Sequence, residues 1–342
     1  MADHFWLGMA IILVSGALNG NFALPMKYAR HWRWENTWLV FSLTALLVLP
    51  WVLAAGFVPQ LGQLYGAVPG RVLLLPLIFG FLWGIAQVTF GLSIKAVGMA
   101  LSFAVVSGLG CLLGSLIPIL AFNPADLFRP RGLLLLVSLP ILFPGLVLYS
   151  LAGRRREKEQ IAGSGPTDMP TMSFAAGLAI TIFTGIFGAN LNLGFAFGGS
   201  LIQKSIKQGI NPATSTYPVW ALVLSAGFIS NLLYCLYLLF RKQTWSTFRT
   251  AGWGKEFALA VAMGLLWLGG IVFYGIGATL VGRYGTSVGF ALFSASIILS
   301  ANLSGILTGE WKSTSPRTRK LLGIGMAAIL VAIVVLNLGG LF

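Results

Sequence analysis

The sequence predicts an all-α integral membrane protein, with ten transmembrane helices arranged as two five-helix inverted repeats. Composition, the number of apolar runs and an internal echo lead to this prediction. Hydrophobic residues make up 57% of the 342 residues, charged residues only 9%, and the mean hydropathy is +0.88. A soluble domain carries about 25% charged residues. The balance excludes an ordinary soluble enzyme and a disordered chain.

Ten apolar segments lie near 5–24, 37–56, 72–93, 99–121, 132–152, 173–198, 215–240, 257–280, 286–308 and 321–341. The runs are continuous and do not alternate, so helices are expected and not a barrel. No basic stretch precedes the first run, which reads as a retained span and not a cleaved signal. The only linker-like stretch joins the charge run Arg154-Arg155-Arg156-Glu157-Lys158-Glu159 to Gly163-Ser164-Gly165-Pro166. It divides the chain into a first repeat (1–153), a cytoplasmic linker (154–171) and a second repeat (172–342).

The net charge of +14 would point to nucleic acid in a soluble protein; here it is expected to sit in loops facing the cytoplasm. The loops after spans 1, 3, 5, 7 and 9 hold 16 of the 22 Lys and Arg residues. The positive-inside rule then puts those loops in the cytoplasm and both termini on the other side. Cys111 and Cys235 lie in apolar segments without a CxxC partner, so neither a metal site nor a disulfide framework is expected, and no cofactor.

Residues 80–102 shifted by 184 give seven identities in 23 positions, among them Gly80/Gly264, Trp83/Trp267 and Gly91/Gly275. A second echo pairs Asn19-Gly20-Asn21 with Asn190-Leu191-Asn192. Both join helices five apart. Five is odd, so the second half enters the membrane in the opposite sense, as in many secondary transporters. The 43 glycines include many GxxxG pairs, which allow close helix packing.

Polar groups in hydrocarbon are costly and therefore mark pathways. Asn19, Gln87, Asn190 and Asn192 carry amides that donate and accept at once, which suits a neutral polyol. Trp83, Trp267 and Tyr274 offer aromatic faces for the apolar side of a sugar ring. The plainer alternative is interhelical hydrogen bonding and core packing. No carboxylate lies at the centre of a span. Proton coupling needs a titratable group whose pKa is lifted toward neutral, and Glu35, Glu310 and His31 are the candidates.

The segment His31-Trp32-Arg33-Trp34-Glu35, with Trp38, Pro50-Trp51, Trp83-Gly84-Ile85, Gly91-Leu92, Gly98-Met99 and Gly309-Glu310-Trp311, resembles the L-rhamnose–proton symporter family of the drug/metabolite transporter superfamily. The resemblance runs over nearly the whole chain. It implies ten helices in a bacterial inner membrane and import of a deoxyhexose with a proton, and Glu35 matches the family motif by position. Gln87, Phe90, Gly269-Gly270 and Gly285-Thr286-Ser287 depart from the family pattern where substrate would be read. The expected function is sugar–proton symport by alternating access, with the lipid bilayer as surroundings. The alternative is transport of another small metabolite. A membrane enzyme on lipid-linked sugar is disfavoured, because the chain has two His and no paired intramembrane acids.

Overall fold

A backbone in lipid has no water to bond, so long apolar runs fold as helices that satisfy themselves. The computed structural model follows this rule. It describes residues 2–97, 99–161, 173–307, 309, 311–312 and 314–338, and among them there is no strand. Each of the ten expected segments contains helix. Eight stretches are long and apolar enough to cross a membrane: His4–Met26, Trp34–Phe57, Gly70–Ser93, Gly132–Arg156, Ala175–Lys207, Tyr217–Lys242, Trp253–Tyr284 and Val288–Leu307. Gly108–Phe122 is a shorter apolar helix.

In chain order the helices are α1 (Ala2–Gly20), α2 (Trp34–Ser42), α3 (Leu49–Phe57), α4 (Leu61–Gly66), α5 (Gly70–Val97), α6 (Met99–Phe122) and α7 (Pro130–Ile161). The second half holds α8 (Phe174–Gly188), α9 (Asn190–Phe197), α10 (Gly199–Lys207), α11 (Tyr217–Lys242), α12 (Trp253–Val281), α13 (Val288–Leu307) and α14 (Pro316–Leu338).

Three expected spans are not continuous α-helices. The second passes through a π-helical segment, Leu43–Val48, just before Pro50; proline cannot donate to the preceding turn. The sixth is broken at Ala189 and at Gly198. At Gly198 a Cβ would lie 2.5 Å from Val219 Cγ1 of α11, so only glycine fits. The first ends at Gly20 and continues as a turn and a 3-10 segment, Leu24–Tyr28.

Packing joins the two halves. α1 packs against α12 and α13, α5 against α11 and α8, and α14 along α7. A Cβ on Gly80 would lie 2.1 Å from the Val223 carbonyl oxygen of α11, and one on Gly84 2.5 Å from that of Gly227. Gly264 of α12 meets Thr44 of the π segment, and Gly270 meets Asn19. Lipid gives helices no hydrophobic reason to associate, so close backbone contact supplies the packing.

Candidate functional site

α5 and α12 cross the interior and present Trp83 and Trp267 to each other. The rings stack at 5.6 Å between centroids with 24° between planes, and both are buried. The Asn19 amide of α1 donates to the Trp267 carbonyl oxygen at 3.2 Å, and Phe41 meets Trp267 edge-on. Gln87, about one turn along α5 from Trp83, is half-buried, and no protein hydrogen bond engages its side chain among the described residues. The π segment packs on α12 directly behind this cluster.

Seven residues further along α12, about 10 Å at 1.5 Å per residue, lies a second cluster. The fully buried Asn192 donates to the carbonyl oxygens of Gly114 and Thr286, each at 2.7 Å. The Tyr274 hydroxyl donates to Asn192 Oδ1, and its ring stacks on Phe293. Asn190 bonds only within its own turn, to the Phe187 carbonyl oxygen at 2.8 Å. Of the seven expected substrate contacts, Asn19, Trp83 and Trp267 meet in one cluster and Asn192 and Tyr274 in another. Gln87 adjoins the first, and Asn190 begins the helix that carries Asn192.

Glu35 opens α2 and is buried, with 1% of its surface exposed. Its carboxylate accepts from Lys242 Nζ at 3.0 Å and Thr244 Oγ1 at 2.9 Å. Next to it, the Asn36 amide donates to the Thr244 carbonyl oxygen, and Trp32 packs on Phe248. Glu256, at the start of α12, is also buried. Its Oε1 accepts the backbone N–H groups of Arg30 at 2.9 Å and His31 at 3.2 Å. The connection between α1 and α2 is thereby latched to the one between α11 and α12. The His31 side chain is exposed. Glu310 lies outside the described residues.

The chain passes to the opposite end in α6 and α12. Gly282, with φ of +78° and ψ of −137°, stops α12 in a positive-φ conformation that glycine adopts without strain. Arg283 follows and pairs with the buried Asp126 at 3.1 Å, which also holds Arg129 at 3.2 Å. This pair again joins the two halves. A cavity of about 560 Å³ opens beside it, between α9, α10, the end of α6 and the end of α12. Among the described residues no group of three His, Cys, Asp or Glu side chains could hold a metal.

Lys242, Thr244, Glu256 and the Asp126–Arg283 pair were not expected from the sequence. The signal available was that a carboxylate set among tryptophans at the start of a span needs a donor. Which of several loop cations supplies it depends on which loops meet.

The family model described as L-rhamnose-proton symport protein (RhaT) matches residues 1–341. Curated relatives named L-rhamnose-proton symporter are 23% identical in Cronobacter sakazakii, 25% in Mannheimia succiniciproducens and 24% in Yersinia pestis. Each match covers 99% of both chains. One solved crystal structure superimposes with a TM-score of 0.52 over 98% of this chain and 96% of that chain, at 18% identity; it bears on the fold alone.

Proposed function

The chain belongs to the L-rhamnose-proton symport protein family, a family of transporters and not of enzymes, and on that premise we propose that it imports L-rhamnose or a related deoxyhexose with a proton by alternating access. The observation that carries the reading is the face-to-face contact of Trp83 and Trp267 between the two halves, with the Asn19 amide on the same cluster. Alternating access needs a site that both halves build and that either end can expose.

The ten spans form two inverted repeats in this reading, and three sets of contacts and one matching backbone turn support it. Gly80 packs on the seventh span, and its counterpart Gly264 packs on the second. Asn21 donates to Ser300 Oγ of the ninth span at 2.6 Å, and its counterpart Asn192 donates to the Gly114 carbonyl oxygen of the fourth. Trp83 and Trp267 meet each other, as counterparts near a two-fold axis would. Gln60 and Gln243 are the only non-glycine residues with positive φ among the described residues, both at 55°, and they follow the second and seventh spans.

The excess of basic residues puts the latched end in the cytoplasm of a bacterial inner-membrane protein, with both termini outside. The substrate site comprises Asn19, Trp83, Gln87, Asn190, Asn192, Trp267 and Tyr274. The tryptophans part to take a sugar ring between them, and Gln87, whose amide is uncommitted, reads a hydroxyl. Glu35 carries the proton: its contacts with Lys242 and Thr244 favour the charged form while the latch is closed, and protonation, which removes the attraction to Lys242, accompanies opening of the cytoplasmic end. Glu310 and the exposed His31 are the remaining proton candidates.

The test is uptake of radiolabelled L-rhamnose by proteoliposomes under an inward proton gradient. Accumulation that an uncoupler abolishes is expected. Folded protein that accumulates neither L-rhamnose nor a related deoxyhexose would refute the reading.

A further inference from the structure

Apart from Gln87, the central amides are occupied: Asn19 and Asn192 spend their donors on backbone carbonyls of other segments, and Asn190 on its own turn. A larger group of uncommitted amides and hydroxyls lies elsewhere. Asn123, Ser200, Gln203 and Thr286 converge on the cavity at the end opposite the Glu35 latch. None of these four side chains has a hydrogen-bond partner among the described residues. Phe122, Phe195 and Phe197 supply aromatic faces to the same space. The break at Gly198 produces this arrangement, because it sets the phenylalanines of α9 and the polar residues of α10 on one wall.

We propose that this cavity is an outer capture site for a neutral polyol, distinct from the central tryptophan cluster. This rests on the transport reading above. Its volume of about 560 Å³ is in the range of small-molecule sites, about 300–1,000 Å³. Amides and hydroxyls beside aromatic rings suit a ring with one hydroxylated and one apolar face. The charged group on the wall, Arg283, is engaged by Asp126 at 3.1 Å and by the Tyr284 hydroxyl at 2.9 Å, so the groups left uncommitted in the cavity are neutral amides and hydroxyls.

The site is closed below by aromatic rings. Phe195 lines the cavity and stacks on Trp220 at 4.5 Å, and both rings contact Tyr274. Next to them Trp220 Nε1 and Thr216 Oγ1 are buried without a hydrogen-bond partner among the described residues, and both lie against Gly275. A sugar hydroxyl moving inward past the parted rings would satisfy them. The aromatic layer therefore separates capture from central binding.

The experiment is thiol labelling of a Gln203→Cys variant of the full chain in proteoliposomes. Gln203 is exposed, and Cys111 and Cys235 are buried, so background labelling is low. L-rhamnose at about five times its Kd is expected to slow maleimide modification about sixfold, the factor 1 + [L]/Kd. The protection is expected to persist when Trp83→Ala is added, or Trp267→Ala should the first fail to fold. Protection lost with the central tryptophan would overturn the proposal, since it would arise from closure driven from the centre. Unslowed labelling in protein that still accumulates L-rhamnose would overturn the outer site and leave the transport reading standing. Stronger protection by a uronate than by L-rhamnose would overturn the neutral class. Wild-type protein that accumulates neither L-rhamnose nor a related deoxyhexose would refute the transport reading, and this proposal with it.

Discussion

Replacing Glu35 with glutamine keeps the side-chain volume and an acceptor for Thr244 Oγ1, and puts an uncharged NH2 group where a carboxylate oxygen accepts from Lys242 Nζ at 3.0 Å. Two unit charges at that distance attract by about 5 kcal/mol at an effective dielectric of about 20. The net worth is smaller. Lys242 is half-exposed, and desolvation and screening offset most of the attraction. A remainder of about 1–2 kcal/mol corresponds to about a 5–30-fold shift between latched and open cytoplasmic ends. The latch then no longer responds to a proton. The assay is accumulation of L-rhamnose in proteoliposomes under a one-unit inward pH gradient. That gradient is worth about 1.4 kcal/mol per proton, which one-to-one symport converts to about tenfold accumulation. Wild-type protein is expected to approach that value. Glu35→Gln is expected to stop at equal concentrations inside and out, while counterflow exchange of L-rhamnose continues and shows that the protein is folded. A variant that still accumulates tenfold and remains sensitive to uncoupler would refute the role of Glu35.

Other perturbations test the packing and the polar network. Gly80→Ala forces a methyl group against the Val223 carbonyl oxygen and should destabilise the detergent-solubilised protein by about 1–3 kcal/mol, read as a lower midpoint of thermal unfolding; an unchanged midpoint would contradict the close approach of α5 and α11. Tyr274→Phe removes the donor to Asn192 Oδ1 and leaves a buried acceptor unpaired, at a cost of about 1–3 kcal/mol; the same unfolding measurement should register it. Glu159 accepts from the Ser315 hydroxyl and N–H and from the Thr318 hydroxyl, and these bonds hold its carboxyl below the usual carboxylate range. A carboxyl whose pKa is depressed by folding stabilises above its unfolded value and loses that contribution as pH falls through the folded one. The acid side of the stability profile should therefore flatten in Glu159→Gln, and an identical profile would contradict the contact.

Sequence alone determined the material of the fold, and it predicts which end faces the cytoplasm. Continuous apolar runs separated by charged loops leave helices as the only backbone that satisfies itself in lipid, and the bias of Lys and Arg toward alternate loops distinguishes the ends. The echo of Gly80 and Trp83 in Gly264 and Trp267 was legible, and a repeat is what it predicts. So was the need of Glu35 for a partner, because an acid among Trp32, Trp34 and Trp38 is costly to bury without one.

Tertiary structure decided which residues meet. Nothing in the order of residues says that Trp83 and Trp267 stack on each other, 184 positions apart, or that the partner of Glu35 is Lys242 and not another loop cation. The same holds for Glu256, which reads as an ordinary acid at a helix start until the first loop brings the N–H groups of Arg30 and His31 onto it. The division of the amides followed the same rule. Asn19 and Asn192 carry the same amide group as Asn123 and Gln203, and only the proximity of backbone carbonyls commits the first pair, while the second has no side-chain partner among the described residues. Hydropathy fixes local structure because each helix satisfies its own backbone, residue by residue. Side-chain pairing across helices depends on crossing points set by glycine contacts and by the breaks at Ala189 and Gly198, which are properties of the packed molecule.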